Sequence, residues 1–122
     1  MSMRALLIED EGVVALLLES MLTDLGYDII GPVPRLPAAL EAARAERFDV
    51  AVLDVNLNGE ASFPVADILV ERGIPFVFAT GYGAQGIPPH LRCTAVLQKP
   101  FKTWQLAEGI KAAISAQEGR LA

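Results

Sequence analysis

What is scarce in this sequence narrows its reading before anything that is plentiful. Cysteine occurs once in 122 residues. Cys93 therefore has no internal disulfide partner, which fits a reducing compartment and a small, inert, part-buried thiol. No apolar run approaches the roughly 18–20 residues of a membrane-spanning helix. Met1-Ser2-Met3-Arg4 runs straight into a strand-like segment without a leader's apolar stretch, so a cytoplasmic protein with no membrane partner is expected. Histidine also occurs once, and His90 falls in an irregular stretch where a surface position is expected. Lys and Arg number 10 against 15 Asp and Glu, a net charge of −5 with no basic cluster. Direct binding to nucleic acid lacks its electrostatic footprint here. The sequence contains no internal repeat and no low-complexity segment.

What remains is a chain with 52% hydrophobic and 20% charged residues, the balance of a folded domain. One domain over residues 1–122 is expected, with its core at about 4–116. Its centre is the stretch Phe48-Asp49-Val50-Ala51-Val52-Leu53-Asp54. A near-continuous apolar run of this length suits a strand covered on both faces, as in a parallel sheet. It ends in a carboxylate, followed by the turn residues Asn56, Asn58 and Gly59.

Arg4–Ile8 reads as the first strand, ending in Glu9, Asp10 and Glu11. A helix follows from about Glu11 to Leu25, stopped by Gly26. Its apolar residues Val13, Val14, Leu17, Leu18, Met21, Leu22 and Leu25 cover nearly half of a helical wheel. Burial against a sheet needs a stripe of only ~100°. Part of that face, above all Val14, Leu17 and Leu18, is therefore a candidate partner contact. Tyr27–Gly31 is a weaker second strand ended by Pro32 and Pro34, and Pro37 opens a helix running to about Arg47. A helix from about Phe63 to Arg72 is stopped by Gly73, and Ile74–Ala79 is the fourth strand. Gly81, Gly83, Gly86, Pro88 and Pro89 then argue against a full helix between Tyr82 and Cys93. A loop or single turn is expected there, and a mobile one. Thr94–Gln98 is the fifth strand, Lys99-Pro100-Phe101 turns the chain, and a last helix runs from Thr103 to about Ala116 before a frayed tail. Trp104 lies off the inner stripe of that helix and is a candidate contact anchor.

Strands alternating with helices predict an α/β doubly wound sheet, in which chemistry gathers outside the carboxyl ends of the strands. Four of the five ends carry polar groups: Glu9 and Asp10, Asp54, Thr80, and Lys99. Converging carboxylates repel one another unless a proton or a cation joins them. Hard oxygen ligands with open coordination positions suit Mg²⁺. Lysine and threonine beside them are donors for an incoming anion. Together these parts match phosphoryl transfer to a carboxylate oxygen.

At this point the sequence resembles the receiver domains of two-component response regulators. The resemblance covers about residues 4–116 and is carried by Glu9-Asp10, Asp54, Ala79-Thr80-Gly81 and Lys99-Pro100-Phe101, each at its own strand end. It implies a flavodoxin-like five-stranded parallel sheet in the order 2-1-3-4-5, here with a shortened or irregular fourth helix. It implies that Asp54 is the phosphoacceptor, that Asp10 binds Mg²⁺ (or Mn²⁺) directly and Glu9 through water, and that the Asn56 carbonyl joins them. Thr80 would hydrogen-bond the phosphoryl group and Lys99 would pair with it, aimed by a cis Lys99–Pro100 peptide. The implied donor is a histidine kinase or phosphotransfer protein, or a small acyl phosphate. The output is contact with a downstream protein, with no separate substrate turned over. As no output domain accompanies the receiver, a stand-alone regulator is expected.

One departure stands out. Where many receivers carry an aromatic residue three positions before the lysine, this chain has Val96. Tyr82, two residues after Thr80, is the candidate replacement switch. Two other readings compete. An aspartyl-nucleophile phosphohydrolase shares the strand-end Asp, Lys and Thr, but commonly places a second Asp where Asn56 stands, and it carries a cap for which there is no room. A pseudo-receiver binding module would not need the intact acidic pair, Thr80 and Lys99. A flavin-binding module is remote, because no Ser/Thr-rich phosphate loop follows the first strand.

Overall fold

The computed structural model describes residues 3–81, 86–91 and 95–121. A five-stranded parallel sheet carries the molecule. Its strands are β1 (Met3–Ile8), β2 (Tyr27–Val33), β3 (Val50–Asp54), β6 (Phe76–Thr80) and β7 (Ala95–Gln98), in the order β2-β1-β3-β6-β7. Two further strands, β4 (Asn56–Leu57) and β5 (Glu60–Ala61), form a small antiparallel hairpin outside the sheet. Leaving that hairpin aside, the order is the expected 2-1-3-4-5. Helices α1 (Gly12–Asp24), α2 (Leu36–Ala45), α3 (Phe63–Arg72) and α4 (Thr103–Leu121) cover the two faces.

Alternation along the strands makes two cores. Leu6, Ile8, Ala51, Leu53, Phe76 and Phe78 point to the α2/α3 side, joined by Ala39, Ala43, Val65 and Leu69. Ala5, Leu7, Val50, Val52, Val77 and Ala79 point to the α1/α4 side, joined by Leu18, Leu22, Leu106 and Ile110. All five residues of β3 and of β6 are buried, as central strands of a covered sheet must be.

The structure differs from the sequence reading at several places. β2 does not stop at Pro32 but runs on to Val33, with its register against β1 shifted between Leu6 and Ile8. It is an edge strand, where proline costs least. Gly31 makes the bend possible: its φ is +110°, and a Cβ there would lie 2.6 Å from the Leu7 carbonyl oxygen. α2 ends at Ala45, short of Arg47. α4 continues to Leu121, past the expected end near Ala116, because nothing in Gln117–Leu121 breaks a helix except the tolerable Gly119. The Asn/Gly loop after β3 is the β4–β5 hairpin. Its two loop residues both take positive φ, +53° at Asn58 and +88° at Gly59, the backbone of a type I′ turn. In the Gly/Pro-rich stretch after β6, Pro89–Leu91 form a single 3₁₀ turn, with Leu91 buried. Tyr82 and Cys93 lie outside the described residues. Most of the segment expected to be mobile lies outside them as well.

Candidate functional site

Five chain segments deliver polar groups to one edge of the sheet. Parallel pairing puts the ends of β1, β3, β6 and β7 side by side: Ile8 pairs with Leu53, Asp54 with Ala79, and Thr80 with Gln98. Glu9 and Asp10 follow β1, Asp54 ends β3, Thr80 ends β6 and Lys99 follows β7. The β4–β5 hairpin closes the rim. A cleft of about 600 Å³ results, lined by Asp10, Asp54, Asn56, Thr80 and Lys99 together with Glu11 and the hairpin turn.

Lys99 organises the floor. Its Nζ lies 2.8 Å from Glu9 Oε2 and 3.5 Å from Asp54 Oδ2. The Lys99–Pro100 peptide is cis, as the resemblance implied. The Lys99 N–H donates to the Thr80 carbonyl at 2.8 Å, which ties the ends of β6 and β7 together. Glu9 is 1% exposed and Asp54 7%. Burial pushes the Glu9 carboxyl up to about 7, against the lowering effect of the Lys99 hydrogen bond and with the Asp54 carboxylate adding to the rise. Burial also works against the charge on Lys99. The hydrogen bond to Glu9 and the fields of Asp54, Glu9 and Glu11 outweigh it, and Lys99 holds its proton more tightly than a free lysine. Thr80 is 2% exposed and lines the same cleft.

The acids fit a divalent cation. Glu9, Asp10, Glu11 and Asp54 each offer an oxygen, and these lie within 4.8 Å of one another. Opposite oxygens around Mg²⁺ stand about 4.2 Å apart, twice the metal–oxygen distance. Small side-chain movements would close the set. Glu9 is already engaged by Lys99, so the resemblance's water-mediated role suits it better than direct ligation. Glu11, exposed on the rim, was not singled out from the sequence. Its only signal was adjacency to the acidic pair. The Asn56 N–H lies 3.3 Å from Asp54 Oδ1.

The candidate contacts separate. Leu17 is 53% exposed, with Val13 at 83% and Leu16 at 68% beside it on α1. Val14 is half-buried. Leu18 departs from the expectation: it is 2% exposed and belongs to the α1/α4 core, because the sheet covers that side of the wide apolar face. Val14, Leu17, Leu18 and Met21 nevertheless meet Pro100 and Phe101 around a small apolar pocket of about 100 Å³ next to Lys99. Trp104 is exposed. His90 is a surface residue, 2.8 Å from Asp67 on α3.

A parallel α/β sheet with acids, a hydroxyl and a lysine gathered at its carboxyl edge forms an open strand-end site suited to a cation and an anion. The chain belongs to the response regulator receiver domain family, whose sequence profile matches residues 5–111. It is 30% identical over 116 residues to the transcriptional regulatory protein PdtaR of Mycobacterium tuberculosis, covering 92% of this chain and 57% of that protein. The chain thus spans little more than half the length of that curated relative. The solution structure of SdrG from Sphingomonas melonis Fr1 is 39% identical, with a TM-score of 0.83 over 93% of this chain and 97% of that one. The BeF3-activated conformation of SdrG gives a lower TM-score, 0.74, over 92% and 98%. The receiver domain of a Pseudomonas aeruginosa sensor histidine kinase, solved with magnesium in its active-site cleft, shares the fold at 24% identity and a TM-score of 0.78 (94% of this chain, 99% of that one). The chain is therefore a phosphorylation-dependent signalling domain of the two-component type, a class that is generally not enzymatic. Among the described residues, no helix is long and apolar enough to cross a membrane.

Proposed function

We propose that Asp54 accepts a phosphoryl group from the phosphohistidine of a histidine kinase or phosphotransfer protein, or from a small acyl phosphate. An Asp54 carboxylate oxygen forms the new P–O bond. The donor's bond to phosphorus breaks, P–N for a phosphohistidine and P–O for an acyl phosphate, and the imidazole or the carboxylate leaves with the electron pair. The observation that carries this reading is the Lys99 ammonium held within 4 Å of both Glu9 and Asp54 beneath an open cleft. That ammonium stands where negative charge on the transferring group would gather, and fixed charge of this kind is the main catalytic device in phosphoryl transfer. Thr80 would donate its hydroxyl to a phosphoryl oxygen.

Asp10, Asp54 and the Asn56 carbonyl would hold Mg²⁺, with Glu9 behind them and Mn²⁺ as a chemical equivalent. When bound, the ion would supply positive charge to the phosphoryl oxygens. The chain assists its own phosphorylation and dephosphorylation in this way and turns over no separate substrate. The reading is supported by the BeF3-activated form of SdrG and by the magnesium in the Pseudomonas aeruginosa receiver. Signalling proceeds by protein contact in the cytoplasm. Leu17, Val14 and Trp104 are the proposed contacts, and Tyr82 the proposed switch aromatic in place of Val96.

Intact mass after incubation with acetyl phosphate and Mg²⁺ tests the reading. One added phosphoryl group in the wild type and none in Asp54→Asn is the expected result. No adduct, with free phosphate accumulating over many turnovers, would make the protein a phosphohydrolase instead. Neither adduct nor turnover, with acetyl phosphate or with a phosphorylated kinase, would leave a pseudo-receiver.

A further inference from the structure

The β4–β5 hairpin does more than close the rim of the cleft. Its turn puts the Asn58 N–H 2.9 Å from Asp10 Oδ2, a contact between residues 48 apart in sequence. The turn is itself held: Asn56 Oδ1 accepts the Gly59 N–H at 2.7 Å. A second strut, long at 3.5 Å, runs from Asn58 Nδ2 to the Pro34 carbonyl. The contact is made with Asn58 at a φ of +53° and Gly59 at +88°. Asparagine and glycine are the residues that hold those angles at least cost.

We infer that this hairpin is a positioning device for the metal ligand Asp10, with the Asn56 side chain as its clamp and the Asn58 backbone N–H as its contact. The inference rests on the metal reading above. One oxygen of Asp10 accepts from the turn, which restrains rotation of the carboxylate. The other oxygen keeps its lone pairs for a cation. Ligating carboxylates are commonly held by such outer hydrogen bonds, and losing one typically costs 10–100-fold in metal affinity. Asn56 thus acts twice, through its carbonyl toward the ion and through its side chain toward the turn.

The test is a Mg²⁺ titration followed by amide chemical shifts, with thermal melts in EDTA confirming that each variant folds. Asn56→Ala removes the clamp and keeps the backbone carbonyl. Asn58→Val opposes positive φ and displaces the N–H. Both are expected to weaken Mg²⁺ on the order of tenfold. Asn58→Gly keeps the N–H and the angle, and is expected to restore near wild-type affinity. Wild-type affinity in all three variants overturns the inference while leaving the metal reading intact. So does a loss in Asn58→Gly as large as in Asn58→Val, since the side chain would then be the active part. A wild type whose shifts ignore Mg²⁺ overturns both the inference and the metal reading beneath it.

Discussion

The two helical layers of this molecule are built for different ends. On the α2/α3 side the sheet presents aromatics. Phe78 meets Phe63 and Phe76 edge-to-face at ring separations of 6.0 and 5.5 Å. The outside of that layer is closed by polar ties: Arg72 lies over the Phe48 ring at 5.3 Å and donates to the Ala43 and Glu46 carbonyls, binding α3 to the end of α2. On the α1/α4 side the core is aliphatic and the outside is left apolar, with Val13, Leu16 and Leu17 on α1 and Trp104 on α4. One layer is finished nearly as a wall, with Val70 on α3 its one exposed large apolar side chain among the described residues. The other keeps hydrophobic surface where a partner can cover it, next to the active cleft and on the side where Lys99 reaches the small pocket.

Substitutions can break this contrast. The largest expected loss is on the wall: Phe78→Ala should cost about 3–5 kcal/mol by urea denaturation, since it empties an aromatic cluster that cannot collapse. Leu106→Ala, fully buried beneath α4, should cost about 2–4 kcal/mol. A larger loss at Leu106 than at Phe78 would overturn the contrast. A smaller effect comes from Glu9. Its folded pKa, about 7, lies above the ordinary 4.5, so the folded state binds the extra proton between those values. In EDTA, stability should therefore be greatest below pH 4.5 as far as this group is concerned, and fall as pH rises through 7. The slope is at most about 1.4 kcal/mol per pH unit, and a flat response in Glu9→Gln would assign it. The smallest effect on folding is on α1: Leu17→Ser should change stability by no more than about 0.5 kcal/mol. It should nevertheless slow phosphorylation from a cognate kinase while leaving acetyl phosphate labelling unchanged. A core-sized drop in stability would place Leu17 in the fold rather than on the contact face.

The sequence made the sheet and its chemical edge legible because both are written in short range. Each strand is a brief apolar run, and the polar residues Asp54, Thr80 and Lys99 stand at or just after the ends of β3, β6 and β7. α3 was bounded by Phe63 and by Gly73, which takes φ +71° at its end. What escaped depended on what covers what. A helical wheel cannot say which half of α1 meets the sheet, so Leu18 looked like a contact and is core. Leu16, outside the stripe, is among the most exposed apolar residues. The β4–β5 hairpin was signalled by Asn58-Gly59, a pair that favours type I′ turns. Strands of two residues carry no periodicity to confirm it. Pro32 looked like a terminus because proline lacks an N–H, and only the sheet order reveals β2 as an edge where that matters little.

That edge has a consequence for self-association. An outermost strand is a template on which another chain can add, and a full row of donors invites fibres. β2 offers an interrupted row: Pro32 has no N–H, Gly31 is bent, and the register slips beside them. A protein that leaves leucine and valine uncovered on one helix has reason to make its sheet a poor template. This margin of the sheet is thereby a poor place for a stray strand to add.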